Sequence, residues 1–131
     1  MKRYLSRLLA LVLVAAIALV GCSAPNGLTG NYREDTLSVI STLRAAIELP
    51  QNDPARIPAQ NSARQLINDF ASRYRQDSSL TKLSSFTTMR TALNSLAGHY
   101  SSYPNRPVPQ KLKDRVAQEF QQVEISLKRG A

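Results

Sequence analysis

The sequence predicts an all-α protein, an up-down-up-down four-helix bundle that follows a cleaved lipoprotein signal peptide. Two observations predict the bundle. Four stretches place apolar residues three and four positions apart, and breaks marked by proline separate them. No stretch alternates polar and apolar residues as a half-buried strand would. Four amphipathic helices joined by short loops favour antiparallel neighbours around one core.

The first 21 residues have the pattern of a lipoprotein signal peptide. Lys2, Arg3 and Arg7 form a basic start, and the apolar run 8–20 ends shortly before Cys22 in the letters LVGC. As a helix this run is about 20 Å long, shorter than the roughly 30 Å hydrocarbon core of a bilayer. We therefore predict cleavage before Cys22 and acylation of its thiol. A plain secretory signal and a retained membrane span remain the alternatives.

The predicted lipid on Cys22 would hold the mature chain at a membrane. One acyl chain anchors a protein only marginally, whereas two or more anchor it stably. Residues 22–30 are polar and contain glycine and proline, which predicts a flexible tether before a bundle domain over residues 31–130. Removing residues 1–21 lowers the formal net charge from +8 to +5. Cys22 is the only cysteine, so we expect no disulfide.

The first two helices are predicted over residues 32–49 and 57–76. Asn31 resembles an N-cap with Glu34 three residues later, and Pro50 ends the first helix. Its predicted inner face is formed by Leu37, Ile40, Leu43 and Ile47. In the second helix Pro58 lacks an amide hydrogen, so we expect a loose first turn before it. Its predicted inner stripe is formed by Ala59, Ala63, Leu66, Ile67, Phe70 and Tyr74.

The third and fourth helices are predicted over residues 85–100 and 109–128. The third presents a seam suited to antiparallel packing, formed by Phe86, Met89, Leu93, Leu96 and Tyr100. The fourth begins at Pro109 and ends with Lys128, where a cation is favoured by the helix dipole. Its predicted inward residues are Leu112, Val116, Phe120, Val123 and Leu127.

Residues that could carry catalysis or bind a metal are sparse. His99 is the only histidine, and acylation would occupy the only thiol. No catalytic triad can be assembled, and one histidine is too few for a typical zinc site. Glu34 and Asp35 are adjacent, but the first turn of a helix favours acids without a metal. We therefore predict no enzyme activity, no cofactor and no metal site, and no nucleic-acid-binding motif is present.

The segment 98–107 is the strongest candidate for a partner-binding site. Its candidate contact residues are His99, Tyr100, Tyr103, Asn105, Arg106 and Pro107. Tyrosine and arginine are enriched at binding hot spots, and proline limits the ordering entropy of a loop. In the alternative interpretation, the tyrosines close the end of the core and Arg106 is merely solvated. Basic clusters at 73–75 and 111–115 are either solvated helix faces or steer the chain toward a negatively charged partner.

Several stretches resemble a known family. They are residues 28–32 (LTGNY), 63–69 (ARQLIND), 84–89 (SSFTTM), 97–100 (AGHY) and 103–107 (YPNRP). In this order and spacing they are similar to the cyanobacterial lumenal lipoproteins of photosystem II assembly and repair, the eleven-kilodalton photosystem II protein family. The resemblance covers roughly residues 28–130, and Pro58 departs from the pattern in the second helix.

The resemblance implies a four-helix bundle without catalytic activity, anchored by lipid on the lumenal side of the thylakoid membrane. It implies binding to photosystem II intermediates at the smaller chlorophyll-binding core antenna subunit. Binding would precede completion of the manganese cluster and attachment of the extrinsic subunits. We expect a monomer when the protein is free. The alternative is a periplasmic lipoprotein adaptor for an unrelated envelope complex.

Overall fold

The computed structural model describes residues 28–131. Within this range it contains five α-helices: α1 (Tyr32–Glu48), α2 (Arg56–Tyr74), α3 (Ser78–Thr81), α4 (Ser84–Ser102) and α5 (Gln110–Lys128). The prediction of an all-α bundle is confirmed. The signal peptide and Cys22 lie outside the described residues, so their processing stays a prediction.

The four long helices close into a ring around one core. α1 packs on α2, α2 on α4, α4 on α5, and α5 returns to α1, with the most extensive contact between α4 and α5. Consecutive long helices are therefore neighbours, as short connections in a bundle favour. Each of the four long helices contributes fully buried side chains, among them Val39, Leu43, Ala63, Phe70, Met89, Leu96, Val116 and Phe120. None of the helices in the described range is both long and apolar enough to cross a bilayer.

The structure corrects the predicted inner face of α1. Leu37 is 38% exposed, whereas Val39 and Thr36 are completely buried. At 3.6 residues per turn, position 37 lies about 120° around the helix from Leu43, which faces the core. The remaining predicted residues of this face, Ile40 and Ile47, are buried. Leu37 fitted the three-and-four spacing but belongs to the edge of the apolar stripe.

The start of α2 also differs from the prediction. We expected a loose turn before Pro58, but α2 is already helical at Arg56 and the Ala59 amide donates to the Ala55 carbonyl at 3.0 Å. Pro58 is the third residue of the helix, where backbone amides have no helical partner, so its missing hydrogen breaks no bond. The short helix α3 was not predicted. It begins at Ser78, and Asp77 caps its N-terminus by accepting from the Ser79 amide at 3.0 Å.

A buried carboxylate fastens the start of the described chain to the bundle. The predicted cap is confirmed, since Asn31 accepts from the Glu34 amide at 3.1 Å. Asp35 is only 1% exposed. It accepts from the Thr29 amide at 2.7 Å, the Thr29 hydroxyl at 2.8 Å, the Gly30 amide at 3.0 Å and the Tyr74 hydroxyl. Asp35 therefore has a structural role that helix-dipole reasoning alone did not predict.

Burial and hydrogen bonding act in opposite directions on the pKa of Asp35. Burial raises it, but the bonds from Thr29, Tyr74 and Gly30 together outweigh burial and lower the pKa below its ordinary value. Burial, the hydrogen bond to Asp35 and its charge raise the pKa of Tyr74 to about 12. Leu28 is itself buried against the core. Residues 28–30 of the predicted tether thus pack on the bundle, while 22–27 lie outside the described range.

Candidate functional site

The loop between α4 and α5 forms one end of the bundle. It begins at Tyr103, whose amide donates to the His99 carbonyl at 2.8 Å and so ends α4. The Arg106 amide then donates to the Tyr103 carbonyl at 3.2 Å, which closes a turn. Asn105 occupies the left-handed region with φ of 66°, a conformation that asparagine tolerates better than most residues. Prolines at 104, 107 and 109 restrict the rest of the loop.

Side chains from α2 and α4 hold this loop from beneath through its carbonyl groups. Arg56 donates through Nη2 to the Asn105 carbonyl at 2.9 Å and through Nε to the Gln51 carbonyl at 2.9 Å. Gln60 donates to the Arg106 carbonyl at 3.1 Å, and His99 Nε2 lies 3.3 Å from the same oxygen. Because the carbonyls point inward, the loop has a defined shape in the described chain.

Arg56 is buried although no carboxylate in the described range pairs with it. Its side chain is 9% exposed, and its bonds go to backbone carbonyls while Nη1 has no partner there. A buried guanidinium is costly unless its hydrogens are satisfied. The two carbonyl contacts compensate part of that cost and tie the α1–α2 and α4–α5 connections together. Arg56 is therefore a fastening residue at this end of the bundle.

Aromatic and cationic side chains contact one another from the buried side of the loop out to its surface. The His99 and Tyr103 rings are 5.6 Å apart, and the His99 and Tyr100 rings are 5.8 Å apart. The Arg106 guanidinium lies 5.9 Å from the centre of the Tyr103 ring, within the range of a cation–π contact. Tyr103 is 52% exposed, so a partner can reach the stacked tyrosine and arginine.

The structure divides the predicted contact residues into two layers. Tyr103, Asn105 and Arg106 are exposed, and Pro107 is half-buried. His99 and Tyr100 are buried and lie beneath them, so in this conformation they support the loop and do not form its surface. Cys22 lies outside the described residues.

Tyr100 closes the core, as the alternative interpretation expected. Its side chain is 2% exposed, and its hydroxyl has no hydrogen-bond partner in the described chain. Burial raises the pKa of Tyr100 to about 12. An unpaired buried hydroxyl costs free energy, so this residue contributes through the packing of its ring.

Sequence reasoning missed Arg56 and Gln60, the two residues of α2 that hold the loop. They are separated from the loop carbonyls they bind by 49 and 46 positions, so no local spacing connects them. A weak signal existed, because an arginine and a glutamine occupy core-facing positions four apart in the first turns of α2. Between residues 28 and 131, no three histidine, cysteine, aspartate or glutamate side chains are grouped so that they could hold a metal ion.

Comparison with known proteins identifies the family. The model of the family described as Photosystem II Pbs27 matches residues 5–127. The chain belongs to this family. A relative from Thermosynechococcus vestitus, named photosystem II assembly factor lipoprotein Psb27, is 60% identical over 132 residues, covering 100% of this chain and 98% of the relative.

Pbs27-family relatives extend beyond cyanobacteria, and solved structures share the fold. The photosystem II repair protein PSB27-H1 of Arabidopsis thaliana is 35% identical over 100 residues, covering 76% of this chain and 58% of that protein. The solution structure of Psb27 from cyanobacterial photosystem II matches with a TM-score of 0.77 at 57% identity. That match covers 84% of this chain and 96% of the solved one. The relatives' names describe assembly and repair and name no enzyme.

Proposed function

We propose that this protein is a lipid-anchored, non-enzymatic factor that binds assembly and repair intermediates of photosystem II. Its site of action is the lumenal side of the thylakoid membrane, at the smaller chlorophyll-binding core antenna subunit. It binds before the manganese cluster and the extrinsic subunits are in place. The observation that carries the proposal is the 60% identity, over the whole chain, to a photosystem II assembly factor lipoprotein.

The α4–α5 loop supplies a contact surface suited to this function. Tyr103 and Arg106 are exposed and stacked on each other, and both residue types are frequent hot spots of protein interfaces. Arg56 and Gln60 hold the loop backbone before any partner binds. A loop that is already ordered loses little conformational entropy on binding, so more of the contact energy appears as affinity.

The lipid anchor would act by raising the local concentration of the bundle. A protein confined to the membrane surface meets a membrane-embedded partner at a higher effective concentration than a freely diffusing one. In cells, Cys22→Ser should therefore lower occupancy of the intermediates while the purified domain keeps its helical content. Equal occupancy of wild type and variant would contradict the role of the anchor.

Cross-linking mass spectrometry on isolated intermediates tests the partner and the side of the membrane together. We expect cross-links between this protein and lumenal segments of the smaller core antenna subunit. Cross-links confined to other subunits would reject the proposed partner, and fractionation away from thylakoids would favour the envelope adaptor.

Loop variants test the contact surface. Combined Tyr103→Ala and Arg106→Ala should weaken binding to purified intermediates by about tenfold or more, because each side chain is an exposed anchor of the stack. The matched control is Leu37→Ala with Arg33→Ala, which removes an exposed apolar residue and an exposed arginine from α1. Equal binding by the loop variant and the control would reject this surface.

A further inference from the structure

A groove between α2 and α4 is not part of the loop surface. Its apolar floor is formed by Ile67 and Phe70 from α2 and by Phe86 and Leu93 from α4. These four side chains are at most 4% exposed, so the floor is well packed, and the small side chain of Ala71 leaves space above it. The groove has a volume of about 200 Å³.

The edges of the groove are cationic. Arg75 directly follows the last residue of α2 and Arg90 lies in α4, and both are exposed. The ion pairs found between residues 28 and 131 are Arg44–Glu124 and Arg115–Glu119, so neither groove arginine is paired there. α4 contains no acidic residue between Ser84 and Ser102. The positive charge along this groove is therefore not neutralised by α4 itself.

The size and chemistry of the groove together restrict its occupant. Small-molecule sites usually enclose about 300–1,000 Å³, whereas this groove can seat about one large apolar side chain. Arginine binds carboxylates through two parallel hydrogen bonds, so the two arginine-bearing edges of the groove are suited to aspartate or glutamate side chains. A segment in which an apolar side chain lies between two carboxylates would match both the apolar floor and the cationic edges of the groove. The chains of an anionic lipid would need a longer apolar channel.

We propose that the groove between α2 and α4 binds an acidic peptide segment of a partner protein. One large apolar side chain of that segment sits on the floor, and neighbouring carboxylates pair with Arg75 and Arg90. Tyr103 lies thirteen residues beyond Arg90, which corresponds to about 20 Å along the helix, so the groove is a second contact surface. The inference rests on the proposed function, because photosystem II intermediates serve as the receptor in its test.

The test measures binding of the lipidated mature chain to purified intermediates. Arg75→Ala with Arg90→Ala should weaken binding by about tenfold or more, and the effect should shrink at high salt. Ala71→Leu fills the groove while leaving both arginines, and it should weaken binding without a change in charge. The matched controls are Arg33→Ala with Lys128→Ala, which removes the same charge elsewhere, and Ala45→Leu on the exposed side of α1. Helical content is checked for every variant.

A photoreactive benzophenone side chain at Asn94, on the groove edge, identifies the occupant. We expect cross-linking to a partner segment that contains a large apolar residue next to aspartate or glutamate. Cross-linking to a segment without acidic residues, or full binding by the arginine and Ala71 variants, would overturn the groove proposal alone. If wild-type protein does not bind the intermediates, the proposed function itself fails.

Binding to vesicles of phosphatidylglycerol in phosphatidylcholine distinguishes a lipid occupant of the groove from a peptide. The protein used in this assay is the unlipidated chain. The peptide proposal expects the arginine and Ala71 variants to bind these vesicles as their matched controls do. If the variants lose vesicle binding but keep binding to intermediates, the groove serves a lipid headgroup and the peptide proposal is overturned.

Discussion

Asp35→Asn should destabilise the bundle through a nearly isosteric change. One carboxylate oxygen accepts from the Thr29 amide and hydroxyl, and the other accepts from the Gly30 amide and the Tyr74 hydroxyl. An amide group must turn its NH₂ toward one of these pairs. A hydroxyl can reverse and accept from that NH₂, but a backbone amide cannot. Each orientation therefore loses at least one backbone hydrogen bond and the negative charge.

The magnitude follows from this geometry. A hydrogen bond to a charged group contributes about 1.5–3 kcal/mol, and water can reach part of the exposed Thr29–Gly30 backbone. We therefore expect the free energy of unfolding to fall by about 2–3 kcal/mol. Urea unfolding followed by circular dichroism at pH 7 measures it. Asp114→Asn is the control, because that carboxylate is exposed and, between residues 28 and 131, accepts only from Gln110, so the change in the free energy of unfolding should stay within about 0.5 kcal/mol.

The pH dependence gives this prediction a second readout. The folded-state pKa of Asp35 is lower than its unfolded value, so its charge stabilises the fold above the unfolded pKa of about 3.9. That contribution is lost as pH falls through the folded pKa. The stability difference between wild type and Asp35→Asn should therefore narrow below about pH 4. A decrease in the free energy of unfolding of less than about 1 kcal/mol at pH 7 would refute this account of the hydrogen bonds around Asp35. A difference between wild type and variant that widens in acid would refute it as well.

Three further predictions concern the ends of the bundle. Tyr100→Phe should raise the free energy of unfolding by about 1 kcal/mol, because it removes a buried hydroxyl that has no hydrogen-bond partner between residues 28 and 131. A lower free energy of unfolding in urea would show that the hydroxyl is satisfied. The pKa values of Tyr74 and Tyr100 are raised to about 12 in the folded protein. The contribution of these two groups to the free energy of unfolding is therefore fully present below pH 10 and is lost between pH 10 and 12. In alkaline unfolding, Tyr74→Phe should reduce that loss, and an undiminished loss would contradict this account of Tyr74. Gly30→Ala should lower the melting temperature and reduce the free energy of unfolding by about 1–2 kcal/mol. The reason is that φ of residue 30 is +89° and the added Cβ would lie 2.6 Å from Arg73 Nη2. An unchanged melting temperature would mean that the backbone strain and the clash both relax.

Helical periodicity predicted the four long helices because each has an apolar stripe that must face a common core. It failed at Leu37, where a residue with the right spacing lies at the edge of the stripe and the smaller Thr36 and Val39 are buried. Periodicity describes one helix at a time, and the neighbours decide which edge of a stripe is covered. α3 was missed because four residues are too few to show a period.

The candidate loop was located by composition, but its layering was not. Tyrosine and histidine are found both in cores and at interfaces, so the sequence could not separate buried Tyr100 from exposed Tyr103 three residues later. The contacts from Arg56 and Gln60 depend on how α2 packs beside the α4–α5 connection. The groove likewise combines residues from two helices, and only the fold shows that Arg75 and Arg90 edge the same groove.

The Asp35 cluster also limits how far the bundle can stand from a membrane. Because Leu28 is buried and Thr29 and Gly30 are bonded to Asp35, residues 28–30 are held on the bundle and cannot extend toward a membrane. A lipid on Cys22 would leave six residues to that segment, which span at most about 20 Å when fully extended. The lipid anchor and this short tether would thus keep one end of the bundle near the lipid headgroups. Inserting residues between positions 22 and 27 should increase the distance from the membrane that the bundle can reach, without changing any contact in the bundle.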